Sequence, residues 1–212
     1  YPNCQKMLYE VKTAPGANQL VFAAYAKNIK VWTADKKLKC KKGVTRADLA
    51  SSFEVDLGKN NPYGTTVYME VEPAIAGRNG GAMFPYPIQQ TCGSGIMTLG
   101  DWGEKPGLEY FSGGIEYTKE IEISNLQTNE KCYLNLGDVC SSASIWINEK
   151  EVATRLIGPW IFDISEYVKT GKNQIKIIVY NTAYNHYLSI PTMYRKKQSS
   201  GILGPVSIDF MN

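Results

Sequence analysis

The chain's single histidine, His186, limits the chemistry it can run. A two-histidine metal centre or a two-histidine mechanism is impossible within these residues. No Gly-x-Ser-x-Gly elbow is present, and a Ser-His-Asp triad would have to recruit that one imidazole. Glycoside hydrolysis needs two carboxyls about 5 Å or 6.5–9.5 Å apart. The 20 acidic residues supply candidates, but sequence does not fix their separation. Five cysteines, at 4, 40, 92, 132 and 140, form no Cys-x-x-Cys pair, and their odd number leaves at least one unpaired within the chain. Cys132 and Cys140, beside strands, read as small buried apolar residues rather than a disulfide. No catalytic residue and no metal ligand is assigned.

Binding is better supplied. A sugar ring offers apolar C–H faces rimmed by hydroxyls, so its site needs aromatic surfaces with a few fixed polar groups. Residues of that kind on predicted loops are Trp102, Tyr110, Trp160, Tyr184, Asn185, His186, Tyr187, Tyr194 and Arg195. The competing reading is that these side chains pack a long loop, 181–205, onto the fold. Trp32 and Trp146 lie within strands and read as buried packing residues, each costing about 3–5 kcal/mol on truncation to Ala.

The elements that must position these residues are strands. Ser144-Ile145-Trp146-Ile147-Asn148-Glu149-Lys150 alternates and then turns, predicting a hairpin. Glutamate disfavours positive φ, which predicts a type I or longer loop there. Asn28-Ile29-Lys30-Val31-Trp32 runs into a similar polar turn. The echo extends: 8–12 and 19–24 match 117–123 and 131–136, Val55-Asp56-Leu57 matches Phe162-Asp163-Ile164, and Val67, Met69 and Val71 match Ile175, Ile177 and Val179. Two copies at domain length predict two similar domains rather than a solenoid. Residues 36–42 carry five lysines around Leu38 and Cys40, predicting one edge strand with its lysines in water. The Gly/Pro-rich stretch from about 73 reads as a linker, a short strand within 96–103 as the opening of the second domain, and Ser165 as the cap of a helical turn.

With 212 residues, 43% of them hydrophobic, the chain has room for packed cores. A net charge of +3 falls short of a nucleic-acid domain, so no polyanion partner is required. No apolar run approaches the roughly 18 residues that cross a bilayer. Beginning at Tyr1, with neither initiator Met nor signal peptide, the chain reads as a processed protein or an excised piece.

Tyr110-Phe111-Ser112-Gly113-Gly114-Ile115-Glu116-Tyr117, Leu134-Asn135-Leu136-Gly137-Asp138-Val139, residues 143–148, Asp163-Ile164 and Gly171-Lys172-Asn173 resemble the galactose-binding-like jelly-roll domains of glycoside hydrolases, including those of the β-galactosidase and β-glucuronidase class. Gly80-Gly81-Ala82-Met83-Phe84-Pro85-Tyr86-Pro87-Ile88 and Leu99-Gly100-Asp101-Trp102 look more like the C-terminal region of family 106 α-L-rhamnosidases. The resemblance covers residues 77–210 well and the rest loosely. It implies an all-β protein of two tandem β-sandwich domains. Residues 1–94 would form a related sandwich, complete or truncated, and residues 95–212 a galactose-binding-like jelly roll. It further implies a secreted, periplasmic or cell-surface location, a plant or host glycan as ligand, and the catalytic domain of a parent glycoside hydrolase as partner. In the resembled enzymes the catalytic carboxylates sit on a separate barrel, so none carries over and this segment is expected to be non-catalytic. The alternative is a structural or protein-interaction module of a cell-surface complex. Such jelly rolls often hold a structural calcium. Asp101 and Glu109 are the acids near the right place, but no loop concentrates the six to eight oxygens required. A calcium is left open and no cofactor is assigned.

Overall fold

Alternating apolar residues put one face of each strand inward, and pairs of such strands bury that face only by stacking as two layers. A computed structural model describes residues 5–59, 61–78, 80–127, 130–189, 193 and 196–211. The chain divides into two compact units, Tyr1–Met97 and Thr98–Asn212. Both are antiparallel β-sandwiches.

The first unit holds β1 (Met7–Lys12), β2 (Ala17–Ala24), β3 (Ala26–Trp32), β4 (Lys37–Leu38), β5 (Cys40–Thr45), β6 (Ser51–Asp56), β7 (Thr66–Pro73) and β8 (Gln89–Cys92). They form the sheets β1-β7-β3-β4 and β5-β6-β2-β8. Leu20 and Phe22, Phe53 and Val55, Ile29 and Val31, and Val67, Met69 and Val71 meet in one buried cluster between the layers.

The second unit holds β9 (Gly114–Ile123), β10 (Lys131–Asn135), β11 (Asp138–Cys140), β12 (Ser142–Ile147), β13 (Lys150–Arg155), β14 (Ile161–Asp163), β15 (Gly171–Tyr180), the short helix α1 (Tyr184–Tyr187), β16 (Gly201–Gly204) and β17 (Ser207–Met211). Its sheets are β13-β12-β15-β9, β14-β10-β17 and the pair β11-β16.

The sequence echo is a topological repeat. The order β1-β7-β3-β4 recurs as β9-β15-β12-β13, and β6-β2-β8 recurs as β14-β10-β17. Registers agree as well: Val31 pairs with Met69 as Ile145 pairs with Ile177, and Leu20 pairs with Val55 as Leu134 pairs with Phe162. Asp56 accepts from the Gly58 N–H as Asp163 accepts from the Ser165 N–H. Among the described residues β5 has no counterpart in the second unit, where loop 156–160 leads directly from β13 to β14.

Several expectations need correction. Trp32 and Trp146 do occupy equivalent places, opposite Tyr68 and Lys176, but both are half-buried and point away from the cores. Neighbouring Val31, Ile145 and Ile147 are buried instead, so the alternation sends each indole outward. Trp32 packs on Tyr68, with ring centroids 6.1 Å apart, and Trp146 lies under the Lys176 ammonium at 4.6 Å. The cost of truncating a buried ring does not apply to them.

The stretch from about 73 carries core residues of the first unit. Met83 is buried there in a 3₁₀ turn, Phe84 packs edge-on against Tyr9 and Phe22, and β8 then joins β2. Residues 96–103 form no strand, and a 3₁₀ turn begins at Trp102 instead. The lysine-rich segment is two edge strands, because β4 borders one sheet and β5 the other. Ser165 caps no helix; its hydroxyl accepts from the Cys132 N–H at 2.9 Å, and Asp163 takes the Ser165 N–H.

The β12–β13 turn differs most. Ile147 pairs with Lys150, leaving a two-residue loop in which Asn148 (φ 50°) and Glu149 (φ 68°) are both left-handed. That is the backbone of a primed hairpin turn, whose twist matches the strands. Asn148 is anchored by its side chain to Tyr167 O and the Gln174 N–H, so Glu149 takes the unfavourable φ. Glu149→Gly is therefore expected to stabilise the protein by about 1 kcal/mol in urea denaturation. A destabilised variant would contradict this account of the turn.

Candidate functional site

The second unit carries an open surface cavity of about 520 Å³, with much of its lining exposed. Val139, Cys140 and Ser141, where β11 passes into β12, line one side. Loop 156–160 lines another with Leu156, Ile157, Gly158 and Trp160. Asn181, Thr182 and Asn185, around the start of α1, face Gln198, Ser199 and Ser200 ahead of β16. Absence of a β5 counterpart frees loop 156–160 for this role.

The polar lining divides into groups committed to the fold and groups free to bind. Asn181 receives the Gly113 N–H at 2.9 Å and donates to Phe111 O at 2.8 Å. Buried Asn185 grips the backbone of Gln198, accepting its N–H at 2.8 Å and donating to its carbonyl at 2.6 Å. Ser200 is buried, and its N–H goes to Asp101 Oδ1. In contrast, the hydroxyls of Ser141 and Ser199, the Gln198 amide nitrogen and the Trp160 indole N–H make no hydrogen bond to another described residue. Trp160 is half-buried. Beside it, Leu156 and Ile157 are 78% and 80% exposed, forming an apolar lip.

Of the residues singled out from sequence, this cavity gathers Trp160 and Asn185. Trp102 is fully buried and offers no face to a ligand. Its Nε1 donates to Tyr117 Oη at 2.5 Å and its ring meets Phe111 edge-on. Tyr110 is half-exposed beneath the Lys197 ammonium at 5.2 Å, outside the cavity lining. Tyr184, His186 and Tyr187 lie on α1 without lining the cavity, and exposed His186 packs edge-on against Tyr187. Tyr194 and Arg195 lie outside the described residues. Ser141, Gln198 and Ser199 were missed, because a lone serine or glutamine in a loop carries no sequence signal.

Asp101 does not suit a cation. Its Oδ1 accepts the N–H groups of Gly103 at 2.8 Å and Ser200 at 3.1 Å. Among the described residues no three His, Cys, Asp or Glu side chains gather as metal ligands. No disulfide joins the described cysteines. Burial pushes the Cys140 thiol up, aided by the nearby carboxylates of Asp101 and Asp138. No helix of the described residues is long and apolar enough to cross a membrane.

No family model matches the chain. A protein of Formosa agariphila named "Putative beta-glucuronidase" is 29% identical over 140 residues, which are 63% of this chain and 12% of that protein. The β-galactosidase of Staphylococcus xylosus is 33% identical over 94 residues, 43% of this chain and 9% of the enzyme. The solved rhamnosidase of Novosphingobium sp. PP1Y aligns over 97% of this chain and 23% of its own, at 18% identity and a TM-score of 0.48. The chain thus spans about a tenth of the length of the curated relatives it matches, and what it resembles is a segment of glycoside hydrolases.

Proposed function

We propose that the chain is a non-catalytic, C-terminal β-sandwich region of an exported glycoside hydrolase of the α-L-rhamnosidase kind, and that its second unit binds plant or host glycan in the cavity beside Trp160. The carrying observation is the lining: a half-buried indole, an apolar lip and unengaged hydroxyl and amide groups, with neither carboxylate nor imidazole among the described lining residues. An aromatic face with a few neutral polar groups suits a pyranose, whereas glycoside hydrolysis needs a carboxyl pair. Similarity to segments of named glycosidases supports a place within a larger enzyme.

Isothermal titration of the 212-residue chain against a glycan panel tests this reading. Binding is expected, and Trp160→Ala is expected to weaken it at least about tenfold through loss of ring contact. Heat with no glycan would reduce the role to support of the catalytic domain. Hydrolysis of an aryl rhamnoside by the chain alone would overturn the non-catalytic reading.

A further inference from the structure

We propose that the row of lysines along β4 and β5 in the first unit is a binding surface for an anionic polysaccharide, one that carries sulfate or carboxylate groups along its length. The inference concerns the first unit alone and does not depend on glycan binding in the cavity of the second.

Five of the chain's 23 basic residues, Lys36, Lys37, Lys39, Lys41 and Lys42, fall within residues 36–42. They outnumber the net charge of +3, so the rest of the chain is net negative. All five are exposed, and none is ion-paired among the described residues. Asp35 beside them in the chain and Glu54 opposite Lys41 in the ladder leave them unpaired. Elsewhere in the unit Lys6 and Lys30 share Glu70, Lys12 reaches Glu10 and Lys27 reaches Glu72. Protection of a sheet edge does not account for so many cations, because β8, β14 and β17 are also edges and hold no lysine. Like charges this close repel one another, and a bound polyanion relieves the repulsion while releasing counter-ions.

The geometry selects among polyanions. Burial alternates from Lys37 to Lys41: Leu38 and Cys40 pack against the core, so Lys37, Lys39 and Lys41 face the other way, about 7 Å apart in an extended chain. Such a row is one strand wide and follows a single linear chain of charges. A nucleic-acid duplex needs a broad basic face, and a net charge of +3 falls short of one. Single-stranded nucleic acid binds through stacked bases, but residues 33–52 contain no aromatic side chain, and Trp32, opposite Lys37, is already packed on Tyr68. An acidic polysaccharide needs only cations in a line.

Biolayer interferometry of the 212-residue chain against dextran sulfate, polygalacturonate and uncharged dextran tests the proposal, with single-stranded DNA and phosphatidylglycerol vesicles as the rival polyanions. At least one of the two anionic polymers is expected to bind at least about tenfold tighter than dextran, and less tightly as salt rises. Binding of neither, or equal binding of dextran, overturns the proposal, and tighter binding of the DNA or the vesicles overturns the choice of partner. Lys37→Gln/Lys39→Gln/Lys41→Gln is expected to weaken binding at least about tenfold. Lys119→Gln/Lys150→Gln/Lys169→Gln, which removes the same charge from the second unit, is expected to retain it. Equal losses would mean that net charge rather than the row governs binding, and the proposal fails. Amine acetylation of the unaltered chain needs no variant to fold: bound polymer is expected to shield Lys37, Lys39 and Lys41, and unchanged labelling there overturns the surface. Trp160→Ala is expected to leave this binding intact, whereas its loss would place the polymer at the cavity instead.

Discussion

Trp102→Ala is expected to destabilise the second unit by about 3–5 kcal/mol, the range for removing a fully buried large aromatic. Sequence presents Trp102 as a loop residue and hence as a ligand platform. Its surroundings make it the keystone of the segment that precedes β9. The Asp101 carboxylate binds the Gly103 and Ser200 N–H groups, and the Trp102 N–H reaches Ser200 O at 3.0 Å, so the backbone is pinned on both sides of the ring. The indole then fills space that Gly201 leaves by lacking a Cβ, at a φ of +96°. Its N–H supplies a buried partner to Tyr117, whose phenol burial pushes above its usual range. Trp102→Phe should cost less, about 1–3 kcal/mol, because most of the volume stays while the Tyr117 hydroxyl loses its donor. Urea denaturation measures both losses, and hydrogen exchange should quicken in β9 and β16. If Trp102→Ala left stability unchanged within 1 kcal/mol and abolished glycan binding, the core assignment would be wrong.

The second large effect is expected at Asn173, where replacement by Ala should cost about 2–4 kcal/mol. This side chain is almost fully buried at the start of β15 and makes four hydrogen bonds. Its Oδ1 accepts from the Lys169 N–H and from Asn148 Nδ2, each at 2.9 Å. Its Nδ2 donates to Lys169 O at 2.6 Å and Gly171 O at 3.0 Å. Asn148 in turn binds Tyr167 O and the Gln174 N–H, so two asparagines tie the β12–β13 turn to the loop before β15. Removing one leaves buried backbone groups without partners, which costs more than the bonds themselves contribute. Asn173→Asp should fail as well, since a carboxylate cannot donate to the two carbonyls. A double-mutant cycle with Asn148→Ala measures the coupling, and strictly additive losses would argue against a shared network.

These two residues mark how far sequence reading reaches. Gly171-Lys172-Asn173 was legible as a turn, since glycine and asparagine punctuate strands. Its bonds to Lys169 and Gly171 are local to that turn, but the one from Asn148 was not legible, because Asn148 is brought close only when β12 and β15 pair. Trp102 was misplaced for the same reason: its burial depends on Tyr117 and Gly201, distant in sequence and of ordinary type. Trp160 was legible as an aromatic near a sandwich rim. Ser141, Gln198 and Ser199 were not, as only their shared position around one cavity distinguishes them.

Period-two alternation in stretches such as Val67, Met69 and Val71 or Ile175, Ile177 and Val179 determined by itself that the chain is all-β, which faces turn inward, and that its strand pattern recurs. Local spacing suffices there because each strand's inward face is written in consecutive residues. Tertiary structure decided which loop aromatics are core and which are surface, how Asn148 and Glu149 turn the hairpin, and where a cavity opens. Each of those depends on residues far apart in sequence meeting in space, so no single stretch contains them.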